Sequence, residues 1–314
     1  QVRLEAATAR SDLGALDARG TIAWRPADPE SDVAVETAAD LQVEVSGVRL
    51  RPLLRRYVPR LAEFVRVEGA VASVSGAVTG DLRQPSVSAG VEVTGLILNE
   101  RAVQVEPFRV DWSASAVLVR DFAARLGSGR LRVPYLAALN EDTVQEWPLP
   151  RRLLGSIAVE HVPFGVARQL LEDSPYFRTD SADSLRETLS LWRSPLGGDI
   201  SAVVRIDPEE GTLPDTVTAA ARLIRLRQDA PTVTASVTIP NLVSPPGSDQ
   251  PPTQLSVLAA YRNDRFDLRE FRLEQEGGAL VTATGYYDHS VPKQPAQVRL
   301  SARASAVPLK SLSR

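Results

Sequence analysis

The sequence predicts a mainly β chain built from degenerate repeats, with short amphipathic helices between groups of strands. Three observations predict it. The first is residues 69–95, GAVASVSGAVTGDLRQPSVSAGVEVTG, where Val71, Val74 and Val78, then Val87, Val91 and Val93, form two runs. β-Branched residues suit a pleated, half-buried surface. Residues 81–85 break the run, and a proline there cannot donate to a ladder, so a turn is expected. Glycines recur where a strand would bend, bulge or end.

The second observation is a set of echoes. Gly69 to Pro85 is 16 positions, and so is Gly198 to Pro214. FAARLGSG from Phe122 and FRLEQEGG from Phe271 both follow an acidic residue and reach a glycine 7 positions on. A strand, then Val-x-apolar, then a helical pattern occurs around Val48, Val162 and Val307, at spacings of 114 and 145. Landmarks in one order are the signature of an internal repeat. The third observation is that hydrophobic residues make up 43% of the chain but aromatics only 5%, so the apolar mass is Val, Ala and Leu.

In chain order, residues 1–39 read as strands with a turn at 26–31. Leu41, Val43 and Val45 alternate with polar residues, a strand with one apolar side. The period then changes. Leu53, Leu54, Tyr57, Leu61 and Phe64 share a helical face over 51–64, and Pro59 kinks or splits that helix. Strands return at 65 and run to about 133, with Asn99-Glu100 as a hairpin tip. Residues 127–129 read as a turn, and 134–150 as an irregular connection. Ile157 and Val159 open a second block. Helices are expected over 163–172 and 184–192, the latter with Ser184 and Glu187 as a capping box. Strands are expected at 200–206, 217–226 and 233–239. Residues 241–253, NLVSPPGSDQPPT, read as an exposed loop, and strands resume from 254 to 306. The domain reading is a first β unit over 1–150, a second over 151–296, and the start of a third over 297–314.

Composition excludes several chemistries. Lys plus Arg is 36 against 39 Asp plus Glu, a net charge of −3, so nothing favours nucleic acid. With no Cys there is no disulfide, thiolate nucleophile or Cys-ligated metal. The two histidines, His161 and His289, lie 128 positions apart without metal-ligand spacing, and G-x-S-x-G is absent. No catalytic residue, metal or cofactor is expected. The arginines 49, 51, 55, 56, 60 and 66 read as a solvated helix face rather than a phosphate site. No run reaches the roughly 18 apolar residues of a membrane span. With Met absent even at position 1, the chain reads as a segment of something longer, its membrane anchor outside it.

Strand units with one short helix, ending in pieces such as GAVTGDLRQPSVSAGVEVTGLILNERAV and RLGSGRLRV, resemble the AsmA-like family that includes TamB, the translocation and assembly module proteins. The resemblance is best over 41–133 and 155–223. It rests on glycine, proline and alternation rather than a catalytic signature. It implies an elongated, curled β-sheet, a β-taco, with an open hydrophobic groove. It also implies a non-enzymatic periplasmic scaffold in a diderm bacterium, anchored in the inner membrane and carrying phospholipid acyl chains to the outer membrane. A BamA-like outer-membrane barrel, TamA, is the protein partner it implies, with a part in outer-membrane protein assembly.

The groove residues expected from alternation are Leu41, Val43, Val45, Val91, Val93, Ile97, Ile200, Val204, Ile206, Val233, Ala235, Val237, Ile239, Val298 and Leu300. Alternation by itself fits a closed core as well as an open, lipid-lined groove. A structural or adhesive β-solenoid or sandwich segment of a secreted or surface protein is the alternative, and a hydrolase ranks third.

Overall fold

The computed structural model describes residues 2–11, 14–26, 35–52, 66–140, 149–173, 198–207, 213–227, 230–242, 253–275, 280–290 and 296–305. It is mainly β: one large antiparallel sheet of 16 strands, not closed into a barrel, and a small sheet of three.

The large sheet is a meander. Its strands are β1 (Val2–Ser11), β2 (Gly14–Pro26), β3 (Val35–Arg49), β5 (Val71–Gly80), β6 (Ser86–Thr94), β10 (Phe108–Trp112), β11 (Ala116–Leu126), β12 (Gly129–Leu139), β13 (Leu153–Pro163), β14 (Asp199–Asp207), β15 (Thr232–Leu242), β16 (Thr253–Arg262), β17 (Arg265–Gln275), β18 (Leu280–Asp288) and β19 (Gln297–Ser305). They pair in chain order, and β9 (Gln104–Val105) joins β11. Residues β4 (Val67–Glu68), β7 (Ile97–Leu98) and β8 (Arg101–Ala102) form the small sheet. Antiparallel neighbours need only short turns, so sequence order becomes spatial order.

The turns carry their own chemistry. Asn99 and Glu100 both have positive φ, 46° and 68°, the type I′ geometry whose twist matches a hairpin, and they join β7 to β8 as expected. Between β5 and β6 the Asp81 carboxylate accepts the Arg83 N–H at 3.0 Å and the Thr37 hydroxyl at 2.6 Å. Those two donors hold its pKa below the usual carboxylate range.

By contacts the chain forms two units. The first is residues 1–124, 133–154 and 212–226; the second is 125–132, 155–211 and 227–314. In the first unit the core joins α2 (Val217–Leu226) to the sheet. Val217, Ala220, Ala221 and Ile224 of α2 bury against Ala116, Leu118, Tyr135, Ala137, Leu139 and Leu154. In the second unit, α1 (Phe164–Glu172) follows β13 directly, and an i,i+4 ion pair, Arg168 to Glu172 at 2.6 Å, braces its second half.

Residues 217–226 were expected as a strand, and the structure corrects that. VTAAARLIRL places its buried residues at i, i+3, i+4 and i+7, a helical stripe, and Ala, Leu and Arg favour a helix. Thr216 caps it: its hydroxyl accepts the Ala219 N–H at 3.2 Å. The echo between 69–85 and 198–214 therefore ends at its prolines, since a strand follows one and a helix the other. A second correction concerns 134–150. Pro134–Leu139 continues β12, because Tyr135, Ala137 and Leu139 alternate into the core. The helix of 163–172 is present as α1, while the one over 51–64 is described only at 50–52, which is helical. The helix over 184–192, the loop core at 243–252 and the landmark at Val307 lie outside the described residues.

Two segments share a local geometry that the sequence marked around Val48 and Val162. On β3 and β5, Val45 pairs with Val74 and Val48 with Ala72; on β13 and β14, Val159 pairs with Ala202 and Val162 with Ile200. Each is a β-bulge of one extra residue. In each, the residue before the second Val has positive φ: Gly47 at 68° and His161 at 50°. Two residues later a helix begins, and its first N–H reaches the start of the partner strand, Leu50 to the Ala70 carbonyl at 3.2 Å and Phe164 to the Gly198 carbonyl at 2.9 Å. His161 is thus a bulge residue, held by its N–H donating to Ser201 Oγ at 3.2 Å.

A Cβ at Gly47 would meet nothing within 4 Å, so only its left-handed backbone resists substitution. Gly47→Val is expected to cost about 1–2 kcal/mol, and Gly47→Asn a fraction of that. Urea unfolding of the two variants checks it; equal losses would show that φ is not the constraint.

Candidate functional site

The site begins with side-chain alternation. Directly paired residues of antiparallel strands point to the same side, so register converts a sequence pattern into a surface. In the first unit the pairing runs Leu16–Val45–Val74–Val91–Phe108, then Ala18–Val43–Gly76–Ala89–Val110–Val119, then Gly20–Leu41–Val78–Val87–Trp112–Val117. Beyond the bulge, Val48–Ala72–Val93 adds a fourth rung. The expected residues Leu41, Val43, Val45, Val91 and Val93 all stand on this side. Ile97 does not: Gly95, at φ 66°, ends β6, and Ile97 pairs with Ala102 in the small sheet.

The second unit repeats the pattern on its own strands. Its rungs are Ile157–Val204–Ala235–Ala259–Leu268–Gly285–Leu300, Val159–Ala202–Val237–Val257–Phe271–Ala283–Ala302, and Gly155–Ile206–Val233–Tyr261–Phe266–Tyr287–Val298. Ile200 pairs with Val162, and Ile239 with Leu255 in line with Leu273 and Val281. Ile200, Val204, Ile206, Val233, Ala235, Val237, Ile239, Val298 and Leu300 therefore share one side of this unit.

Away from the α2 contact, the reverse sides are largely polar. In the first unit Asp17, Glu44 and Ser75 are paired, as are Ser73 and Glu92. In the second, Arg205 pairs with Thr234, and Ser201–Thr238–Ser256–Arg272–Thr282–Arg303 forms one rung. The sheet is thus two-sided in chemistry.

Burial distinguishes a sealed core from an open face. On β5 and β6 only the alanines sink fully, Ala72 to 2% and Ala89 to 8% exposed, while Val74, Val78, Val87, Val91 and Val93 stay half-buried. Val233, Ala235 and Val237 are half-buried too. β19, last in the described strand order, is exposed on both sides along its length, Val298 at 71% and Leu300 at 68%. The described helix α2 does not seal the first unit's apolar side. It packs on Ala116 and Leu118, which alternate with Val117 and Val119 and so point to the reverse.

A polar network fixes α2 on that reverse side. Asp111, 8% exposed, accepts the Ser88 hydroxyl at 2.6 Å and pairs with the Arg120 guanidinium, which also donates to the Asp215 carbonyl at 3.4 Å beside the helix start. Nearby, the Tyr135 hydroxyl is buried without a hydrogen-bond partner, and burial pushes its pKa up to about 12. Arg120 thus ties Asp111 to the chain just before α2.

Register, not composition, reveals what sequence reasoning missed. Trp112, Leu255, Val257, Leu273, Tyr261, Phe266 and Tyr287 join the apolar sides through pairings that no single strand displays. Among the described residues no three His, Cys, Asp or Glu side chains gather as a metal group, and no helix is long and apolar enough to cross a membrane.

Asp111→Ala takes the acceptor from Ser88 and the carboxylate from Arg120, and is expected to cost about 1–3 kcal/mol. Tyr135→Phe removes a buried hydroxyl that bonds nothing, so it is expected to be neutral or mildly stabilising. Thermal melts of both compare the two; a Tyr135→Phe loss as large as that of Asp111→Ala would mean the hydroxyl has a partner. Comparison with family models, with curated proteins and with solved structures finds no match to this chain.

Proposed function

We propose that this chain is a non-enzymatic scaffold that carries phospholipid acyl chains along the apolar side of its sheet. The observation that supports it is the half-burial of the central valines on that side in both units, beside the buried Ile206, Ile239 and Ala259. A sealed core would hide the central valines, and a solvated sheet would not present rung after rung of Val, Leu and Ala. An exposed apolar surface of this extent in a soluble fold marks a binding surface for something apolar. Val and Ala make it smooth, which suits a sliding, featureless chain better than a shaped ligand.

The finer reading follows the AsmA-like resemblance. The sheet curls into a groove, and the bulge–helix segments at 45–50 and 159–164 are copies of one degenerate repeat. The chain is a segment of an inner-membrane-anchored bridge across a diderm periplasm, with phospholipid as cargo and a BamA-like barrel as outer-membrane partner. The shared bulge register supports the repeat, and the two-sided chemistry supports the groove.

The test contrasts adjacent residues on opposite sides. Val237 lies between Ala202 and Val257 on the apolar side; Thr238 lies between Ser201 and Ser256 on the reverse. A carboxylate at 237 would have to be desolvated under an acyl chain, at a cost of several kcal/mol. Mass spectrometry of phospholipid co-purifying with the chain should show most of it lost in Val237→Asp and retained in Thr238→Asp, with both variants melting near wild type. Cooperative unfolding of Val237→Asp alone would mean a closed core, the sandwich or solenoid alternative. A wild-type chain free of phospholipid would sink the proposal.

A further inference from the structure

One rung of the second unit differs in chemistry from the rest. Tyr261, Phe266 and Tyr287 occupy directly paired positions on β16, β17 and β18, on the apolar side. They are 40%, 43% and 45% exposed. Paired positions hold Cβ atoms about 5 Å apart, so three aromatic side chains are neighbours in one row. Aromatics are 5% of the chain, which makes three in a single rung a concentration.

The turn beyond the rung adds a carboxylate. Asn263 and Asp264 have φ of 49° and 60°, again a type I′ hairpin. The Tyr261 hydroxyl donates to Asp264 Oδ1 at 2.7 Å, and the His289 N–H donates to the Asp264 carbonyl at 3.1 Å. Asp264 is thereby held against the ring row. Arg265, its neighbour, alternates to the reverse side. There it bonds Asp267 at 2.9 Å and Asp288 at 3.4 Å and lies 4.8 Å over the Tyr286 ring.

Aromatic faces attract cations, and a carboxylate at their edge adds charge of the right sign. The rungs behind are Leu268–Gly285–Leu300 and Phe271–Ala283–Ala302, which offer only apolar surface. The geometry points to a headgroup subsite: the Tyr261–Phe266–Tyr287 row and Asp264 take the ammonium group of an amphiphile whose acyl chain lies on the rungs behind. This rests on the reading of the apolar side as a carrier of acyl chains, and it adds a preference for ammonium headgroups over anionic ones.

The experiment titrates the 314-residue chain with three lysophospholipids of one acyl chain, bearing choline, ethanolamine or glycerol headgroups, below their micelle concentrations. The choline and ethanolamine lipids are expected to bind roughly tenfold more tightly than the glycerol lipid. Asp264→Asn and Tyr287→Leu should each shrink that preference about three- to fivefold without weakening the glycerol lipid. Melts without lipid check folding. If Tyr287→Leu unfolds, the wild-type preference and Asp264→Asn, at an exposed turn, still decide. Equal binding of all three lipids overturns the headgroup subsite and leaves acyl carriage standing. Binding of none overturns both.

Discussion

Strand side chains alternate sides with a period of two, so a one-residue slip in pairing would turn every apolar residue to the polar side. The two-sidedness of the sheet depends on that phase being kept across many strands. The chain keeps it with bulges placed where the sequence itself slips. Val45 to Val48, Val159 to Val162, Ile239 to Leu242 and Leu268 to Phe271 are each separated by two residues instead of one, and at each the register shifts. The extra residue is absorbed in the backbone, and the next apolar side chain returns to the same side as the last. At Val48 and Val162 a positive φ does the absorbing, supplied by Gly47 in one case and by His161 in the other. The glycine does it without strain; the histidine accepts a conformation that side chains disfavour.

This explains which parts of the fold can be read from residues alone. Alternation marks β15 cleanly, because Val233, Ala235, Val237 and Ile239 are unbroken. It also marks sidedness, since period two needs no partner to be visible. It does not mark the neighbour. Tyr261, Phe266 and Tyr287 lie 5 and 21 positions apart, and only the hairpin at Asn263-Asp264 and the bulge at Leu268/Phe271 bring them into one row. A double step in the alternation reads in sequence as the end of a strand, when here it is a bulge within one. Ile97 shows the opposite failure: it continues the pattern of Val91 and Val93 in sequence, but Gly95 ends the strand before it is reached.

The helix α2 was hidden for a different reason. Ten residues rich in Ala, Val, Leu and Ile fit either period over short stretches, and the preceding Pro214 resembles the proline that opens β6. What decides is the surface that waits for it. Ala116, Leu118, Tyr135, Ala137 and Leu139 are apolar on the side where other strands are polar. A strand would have hidden only alternate residues of 217–226. A helix presents Val217, Ala220, Ala221 and Ile224 as one stripe, and so covers that patch completely. Tertiary burial chose between two local readings of nearly equal propensity.

The position of α2 also bears on the apolar side. Burying apolar area is worth about 25 cal/mol per Å², so a chain with a helix to spare would gain most by laying it over the valines of β5 and β6. Instead the helix covers the reverse, where Arg120 bridges Asp111 to the Asp215 carbonyl and fixes the helix start. Strands β11 and β12 bury residues on that reverse side, and Val117 and Val119 remain half-buried on the other. In the first unit burial is thus gathered on the side away from these valines. The valines keep partial exposure at a standing cost, which is understandable if an apolar occupant recovers it. A closed sandwich would need a second layer over those valines, and among the described residues α2 is packed on the opposite side of its own unit.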